Sequence, residues 1–252
     1  MPKSKRSKLV SLTKVDKKTK EHKSAVMENV KENADKWKYC WLFEVGAMRN
    51  AHLKTVRNLW KDSARIFFSR SALLAKALGT TPEEEHRTGI HKLAQQIQGQ
   101  VGLLFTDTET QEVIEWFADF SQPDFARAGN VASRTVILPV GPVMMHHSDP
   151  PIPFPHNEDP QLRKLGLTTT MERGVPTLRS PHKLCQKGKV LTAEQAQLLK
   201  LIGEKMVTFR VGLIARWDAA TGEVTQVEGP RLGADEIVAG DVEDVDEEAM
   251  SE

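Results

Sequence analysis

Basic side chains are the residues of this sequence whose type and spacing most clearly indicate a chemistry. The first group lies in residues 1–23, which hold nine Lys or Arg and two acids. Clustered cations neutralise phosphates and gain affinity for nucleic acid through counterion release, and they also serve as nuclear-import signals. A solvated tail is the alternative that composition leaves open. The candidate RNA-binding residues of this arm are Lys3, Lys5, Arg6, Lys8, Lys14, Lys17, Lys18 and Lys20.

A second basic group lies where the sequence has helix and strand patterns. Its members sit on two predicted helices and on the short strand pattern between them, residues 64–68. Arg70 follows that strand and precedes a helix start, where backbone amides also bind phosphate, so Ser69, Arg70 and Ser71 form one candidate contact. An ordinary polar helix face is the alternative, and Trp41 and Trp60 fit core positions better than base-stacking positions. The basic residues of this group are Arg49, Lys54, Arg57, Lys61, Arg65, Arg70 and Lys76.

Catalytic signatures are absent from the sequence. It contains no GxxxxGK[ST], GxGxxG, HExxH or GxSxG pattern. Cys40 and Cys185 lie far apart, and the neighbouring His146 and His147 lack the cysteine or carboxylate partners of a zinc site. No apolar run reaches the roughly 18 residues that span a bilayer, and the basic N-terminus lacks a secretory apolar stretch. We therefore expect a soluble, intracellular, non-enzymatic protein without cofactor, metal, membrane segment or small-molecule substrate.

The net charge of +1 conceals an asymmetry between the two ends of the chain. The last eighteen residues, 235–252, hold nine acids and no Lys or Arg. We predict a flexible basic arm over residues 1–15 and a disordered acidic tail over residues 229–252. Competition with RNA for the basic surface, docking of a basic partner and simple solvation are all consistent with the acidic tail.

Strand and helix patterns alternate in the first half of the sequence, which is typical of an α/β layered fold. Strands are predicted at 37–45, 64–68 and 101–106, and helices at 51–61, 71–78, 82–98 and 108–120. Residues 121–191 differ, because they hold ten of the thirteen prolines. A helix from 192 and strands at 207–217 and 223–227 then return to the first sheet. The prediction is a helix-covered mixed sheet, residues 16–124 and 192–228, interrupted by a small β-rich inserted domain, residues 125–191.

Residues 53–78 carry a family resemblance, reading LKTVRNLWKDSARIFFSRSALLAKAL. This segment resembles the ribosomal stalk-base protein family, the acidic P-zero and bacterial L-ten proteins, with Val56-Arg57 and Lys76-Ala77 on family motifs. Further pieces occur in family order: VGLLFTD, FARAG, LGLTTTMERG and VLTAEQAQLLKLIG. The opening PKSKRSKLVSLTKVDKK is similar to that of the assembly factors in this family. Two motifs depart from it: GKNT is replaced by Ser69-Arg70-Ser71-Ala72, and PTK by Thr168-Thr169-Thr170.

The resemblance implies an α/β RNA-binding domain with a β-rich insertion, and a specific RNA. That RNA is large-subunit (25S/28S-type) rRNA at the stalk base, in the GTPase-associated centre, with Arg57, Arg70 and Lys76 on phosphates. The implied role is a ribosome biogenesis factor on nuclear pre-60S particles, next to neighbouring ribosomal proteins. It would hold the site until the ribosomal stalk protein replaces it. Nuclear and nucleolar localisation, with possible cytoplasmic shuttling, follows from that role.

Two alternatives remain at this point. A ribosomal stalk-base protein would carry a helical extension and a phenylalanine-rich acidic terminus, whereas the 25 residues after Val227 contain no aromatic residue. A nucleolar scaffold that binds proteins would lack the steep salt dependence of phosphate binding.

Overall fold

The computed structural model describes residues 20–227 and Leu232. The predicted basic arm lies outside the described residues, and so does the predicted acidic tail except for Leu232. The helices are α1 Lys20–Lys36, α2 Asn50–Leu59, α3 Ser71–Leu78, α4 His91–Ala94, α5 Thr110–Asp119, α6 Asp159–Lys164 and α7 Ala193–Ile202. The strands are β1 Tyr39–Gly46, β2 Ala64–Phe67, β3 Val101–Thr106, β4 Ser121–Asp124, β5 Val136–Leu138, β6 Gly141–Pro142, β7 Met144–Met145, β8 Ile152–Pro153, β9 Thr169–Glu172, β10 Val175–Leu178, β11 His182–Cys185, β12 Val207–Asp218 and β13 Val224–Gln226. No helix within the described part of the chain is long and apolar enough to cross a membrane.

Six strands form the main sheet, in the order β13-β12-β1-β3-β2 with β4 also on β12. The α/β class with a β-rich insertion is confirmed, but the sheet differs from a mixed one. Every pairing among its described strands is antiparallel. The reason is the position of β3, which lies between β1 and β2 and runs opposite to both. The predicted return of the last strands to this sheet is also what the structure shows.

Helices cover both faces of the main sheet. All six residues of β3 are buried, which fits its unbroken apolar sequence VGLLFT. Leu103 and Phe105 pack in a core with α1, α3 and α4, while Leu104 packs on the opposite face in a core with α2 and α5. The alternation follows from the two-residue period of a strand. Consequently α1 and α2, which are adjacent in the chain order, lie on opposite faces.

The inserted region has a core of its own. Phe154, Leu162 and Leu178 are among its buried residues, and Leu199 of α7 packs with them. Helix α7 begins at Thr192 with a complete capping box, in which Thr192 and Gln195 exchange side-chain to backbone hydrogen bonds. The boundary predicted at residue 192 assigns α7 to the α/β domain, whereas its buried face packs in the core of the insertion.

The helix predicted at 82–98 is reduced to the single turn of α4. The acidic residues after Pro82 are good helix-start chemistry, but Glu85 makes contacts within a loop instead. The Glu85 carboxylate accepts a hydrogen bond from the Gly89 amide, at 2.9 Å, and interacts with the His91 ring. Gly89 itself has a φ of 75° and lies against the Gly222 carbonyl. A compact loop therefore replaces the first turns of the predicted helix.

Gly102 provides a test of this packing. A Cβ at position 102 would collide with the Phe43 ring and lie 2.8 Å from the Phe67 carbonyl oxygen. We expect Gly102→Ala to lower the free energy of unfolding in urea by about 1–3 kcal/mol, because backbone and core must shift. The matched control is Gly46→Ala, whose Cβ would meet its nearest atom, in Leu232, at 3.4 Å. Equal losses in the two variants would show that β2 and β1 do not approach β3 as closely as described.

Candidate nucleic-acid interface

A cleft of about 1120 Å³ opens beside β2, the last strand in the order of the main sheet. Four segments of the chain supply its walls: the first turns of α1, the last turn of α2 with the residues after it, β2 itself, and the turn from β2 into α3. We call this space the basic cleft. The cationic residues that line it are Lys23, Arg57, Lys61, Arg65 and Arg70.

The charge of the basic cleft is of one sign. None of the described residues that line it is Asp or Glu. Burial and the neighbouring Arg65 guanidinium lower the pKa of Arg57 from its ordinary value. A like charge destabilises the protonated form, so part of this lowering comes from repulsion between the two guanidinium groups. An anion in the cleft would relieve that repulsion.

Helix α2 presents Arg57 to the cleft as a result of its amphipathic pattern. Leu53 and Val56 are buried against the sheet. Lys61, which follows the end of α2, also lines the cleft. Arg57 also lies in the last turn of α2, where the negative end of the helix dipole favours a cation.

The turn between β2 and α3 brings backbone donors to the same place. Arg70 precedes the first residue of α3 and caps it without a side-chain hydrogen bond, and its carbonyl accepts from the amides of Leu73 and Leu74. Ser69, Arg70 and Ala72 line the cleft. The first amides of a helix have no intrahelical acceptor. The start of α3 therefore adds N–H donors and the positive end of a helix dipole to the cationic walls.

Two phenylalanines form an apolar floor in the basic cleft. Phe67 and Phe68 are half-buried and both line it. Phe67 meets the Phe105 ring edge-to-face, with centroids 5.7 Å apart, and Phe68 is stacked on Phe43 at 6.3 Å. The inner sides of the rings are thus fixed by the two cores.

A smaller cavity of about 400 Å³ continues the basic cleft along α1. It shares Lys61, Arg65 and Phe67 with the cleft. Glu32 and Asp62 also line this second cavity, so its charge is mixed. The strongest site for an anion is therefore the cleft at the end of β2.

The structure brings together only some of the residues predicted for RNA binding. Arg57, Lys61, Ser69 and Arg70 line the basic cleft, and Ser71 begins the adjoining helix. Lys20, Lys54 and Lys76 are exposed but do not line it. The other predicted residues of the arm, Lys3, Lys5, Arg6, Lys8, Lys14, Lys17 and Lys18, lie outside the described residues.

The lining residues that sequence reasoning missed as candidate contacts include His22, Lys23, Phe67 and Phe68. Lys23 belongs to the basic N-terminal run, which was the available signal. The phenylalanines look like ordinary strand residues in sequence, and only the edge position of β2 exposes them.

Arg49 has a different environment from the other predicted cations. Its Nε lies 2.6 Å from Asp124 Oδ2, and its Nη2 donates to the Phe125 carbonyl at 2.9 Å. His52 Nε2 lies 3.3 Å from the same carboxylate, and the Phe125 amide donates to Asp124 Oδ1 at 2.7 Å. Burial raises the pKa of Asp124, but the Phe125 amide, Arg49 and His52 together hold it below its ordinary value. These contacts join α2 to the point where the chain leaves β4 for the insertion.

Comparison with known proteins assigns the chain to a family. It matches the family Ribosomal protein L10 over residues 18–122, and the family of the insertion domain in 60S ribosomal proteins of the L10 type over residues 126–203. It is 41% identical over 252 residues to ribosome assembly factor mrt4 of Neurospora crassa, an alignment covering 96% of this chain and 100% of that protein. The chain belongs to the ribosomal protein L10 family.

Two other members of the L10 family extend the comparison. Ribosome assembly factor mrt4 of Schizosaccharomyces pombe is 42% identical over 242 residues, covering 94% of this chain and 100% of that protein. Large ribosomal subunit protein uL10 of Thermococcus sibiricus is 25% identical over 166 residues, covering 66% of this chain and 47% of that protein. The L10 assignment confirms the predicted resemblance and the prediction of a ribosome biogenesis protein that is not an enzyme.

The contacts of Asp124 lead to a prediction about pH. Because its folded pKa is lowered, its ion pair stabilises the L10-family chain fully above the ordinary carboxylate pKa of about 3.9. This contribution is lost as the pH falls through the folded pKa. We expect Asp124→Asn to lower the free energy of unfolding at neutral pH by about 1–2 kcal/mol, with the difference from wild type disappearing in acid. Urea unfolding at a series of pH values measures it.

The control for this prediction is Asp119→Asn, the same change at an exposed residue at the end of α5. Asp119→Asn should leave stability close to wild type. A loss for Asp124→Asn that persists unchanged below the folded pKa would contradict an electrostatic role for the carboxylate.

Proposed function

We propose that this chain is a ribosome biogenesis factor that binds large-subunit (25S/28S-type) rRNA at the stalk base, in the GTPase-associated centre. It occupies that site on nuclear pre-60S particles and is later replaced by the ribosomal stalk protein. Binding is non-catalytic and requires no cofactor. The observation that carries the proposal is the basic cleft, in which five cations and the start of α3 converge with no acid among the described lining residues.

The phosphate backbone is the partner that best matches this arrangement. Guanidinium groups bind phosphate through two parallel hydrogen bonds, and backbone amides at a helix start add further donors. Phosphate contacts position a protein on RNA, and base contacts give it specificity. Arg57, Arg65 and Arg70 are placed to make the first kind of contact.

The placeholder role rests on shared ancestry with the ribosomal protein. The uL10 of Thermococcus sibiricus aligns with about two-thirds of this chain, so we infer that the two proteins use the same domain on one rRNA site. Two copies of one RNA-binding surface exclude each other from a single site. Exchange would therefore follow from competition. The more similar relatives carry the name ribosome assembly factor, which favours this role over that of the stalk-base protein itself.

Location and neighbours are parts of the same proposal. The lysines of residues 3–20 extend the phosphate-binding surface or bind an import receptor, and both fit a nuclear and nucleolar protein, with possible cytoplasmic shuttling. Neighbouring ribosomal proteins on the pre-60S particle are the expected protein partners. A nucleolar scaffold that binds a protein of mixed charge is disfavoured, because the described residues that line the basic cleft include no acid to pair with that partner's cations.

The cations of the cleft provide a direct test. We expect Arg57→Gln/Arg65→Gln to weaken binding of a stalk-base rRNA fragment and to reduce the slope of log affinity against log salt by about 1.4, or 0.7 for each lost phosphate contact. A filter-binding titration over a range of salt concentrations measures both quantities. The control is Arg127→Gln/Arg179→Gln, which removes two exposed arginines of the inserted region. Equal effects of the two double variants would show that the basic cleft is not the RNA site.

Crosslinking in cells tests the identity of the RNA. UV crosslinking of the wild-type chain should place the main contacts at the stalk-base region of 25S/28S-type rRNA in nuclear precursors. The Arg57→Gln/Arg65→Gln variant should lose those crosslinks. Crosslinks spread over messenger RNA, with none at the stalk base, would contradict the placeholder role.

A further inference from the structure

The basic cleft has an aromatic floor, which a surface that only neutralises charge would not need. Phe67 and Phe68 are consecutive residues at the end of β2, so their side chains point to opposite faces of the sheet. Both nevertheless line one cleft. That is possible because β2 ends the sheet and the cleft wraps around its edge. An incoming group therefore meets aromatic carbon at the floor and cations on the walls.

The size and shape of this space also constrain the ligand. α1 lines it with His22, Lys23 and Val26, and Arg57, at the end of α2, and the start of α3 also line it. The volume of about 1120 Å³ exceeds that of a lone phosphate site. It lies slightly above the range of roughly 300–1,000 Å³ typical of pockets that enclose an organic ligand. A phosphate alone would leave the aromatic floor uncovered.

Regular duplex RNA would not use that floor. Its bases are stacked inside the helix, and proteins meet it mainly through phosphates and 2′-hydroxyls. In loops and bulges, by contrast, unstacked bases lie against aromatic side chains or guanidinium planes. The basic cleft offers both kinds of surface, in Phe67 and Phe68 and in Arg57 and Arg65.

We propose that the basic cleft binds an unpaired nucleotide of the RNA, with its base against the ring of Phe67 or Phe68 and its flanking phosphates on Arg57, Arg65 and Arg70. This inference rests on the proposed function and adds the class of RNA element recognised. The chain selects a looped or bulged segment, and duplex alone is a weaker ligand. Lys23 and the first amides of α3 hold the strand on either side of the inserted base.

An acidic peptide is the other occupant that the charges would accept. It would pair with the same cations, and peptide carboxylates also bind at helix starts. The aromatic floor favours the nucleotide, because a base stacks on a ring with a flat π-face, whereas Asp and Glu carboxylates would lose hydration over the rings without gaining a hydrogen bond.

The test compares a short single-stranded RNA carrying 2-aminopurine with a duplex of the same sequence, at one salt concentration. Wild type should bind the single strand more tightly and change the 2-aminopurine fluorescence as the base stacks. Phe67→Leu/Phe68→Leu should weaken single-strand binding about fivefold or more and abolish the fluorescence change. Duplex binding should change by less than about twofold, because phosphate contacts are kept.

The matched control is Phe120→Leu, which shortens a half-buried phenylalanine stacked on Trp116 away from the cleft. It should leave both affinities at the wild-type level. If the double variant does not fold, the fluorescence change of wild type with single-stranded RNA, absent with duplex, carries the test alone.

Three outcomes would overturn the inference. Equal affinity of wild type for single strand and duplex would be consistent with RNA binding but would contradict the binding of an unpaired nucleotide. Displacement of single-stranded RNA by a peptide of residues 235–252, at lower concentration than by unlabelled RNA, would assign the cleft to an acidic peptide. Absence of any salt-dependent RNA binding would remove the proposed function as well.

Discussion

Burial of β3 on both faces is the constraint on which the rest of the structure depends. Its six residues expose almost no surface, so helices must cover the sheet on each side. Because β3 lies between β1 and β2, the crossing through α2 takes the chain over one face, while α3 and α4 return it over the other. β2 is left at the end of the strand order. The edge of β2, the first turns of α1 and the end of α2 then meet, and their meeting forms the basic cleft.

The basic cleft has two features that lower the stability of the folded chain. Burial and the Arg65 charge disfavour the protonated form of Arg57 and lower its pKa, and the floor beneath these residues keeps apolar surface partly exposed. Two well-filled cores on the faces of the sheet supply the stability that permits this arrangement. An anionic partner with a flat apolar part would remove both unfavourable terms at once, as the proposed RNA ligand would.

Local signals in the sequence predicted much of this fold, and the failures have a common physical cause. Helix α3 was predicted with its observed bounds because strand, turn and C-terminal glycine all occur within a few residues. The helix predicted at 82–98 is wrong in its first turns. There the Glu85 carboxylate accepts a hydrogen bond across a loop, and Gly89 lies against Gly222, which is distant in the chain. Arg57 and Arg70 were predicted as RNA contacts from charge and motif. Phe67 and Phe68 were not predicted as contacts, because their exposure depends on which strand ends the sheet.

The two arginines at the ends of α2 show how position determines the use of a cation. Arg49 precedes the first turn, where the helix dipole disfavours positive charge, and the Asp124 carboxylate offsets this. Arg57 lies in the last turn, where the dipole favours positive charge, and it pairs with no carboxylate among the described residues. The helix dipole therefore stabilises this charge without a carboxylate partner, and the guanidinium group stays available to a ligand. A phosphate bound beside Arg57 would pair with its guanidinium group, as the Asp124 carboxylate pairs with that of Arg49.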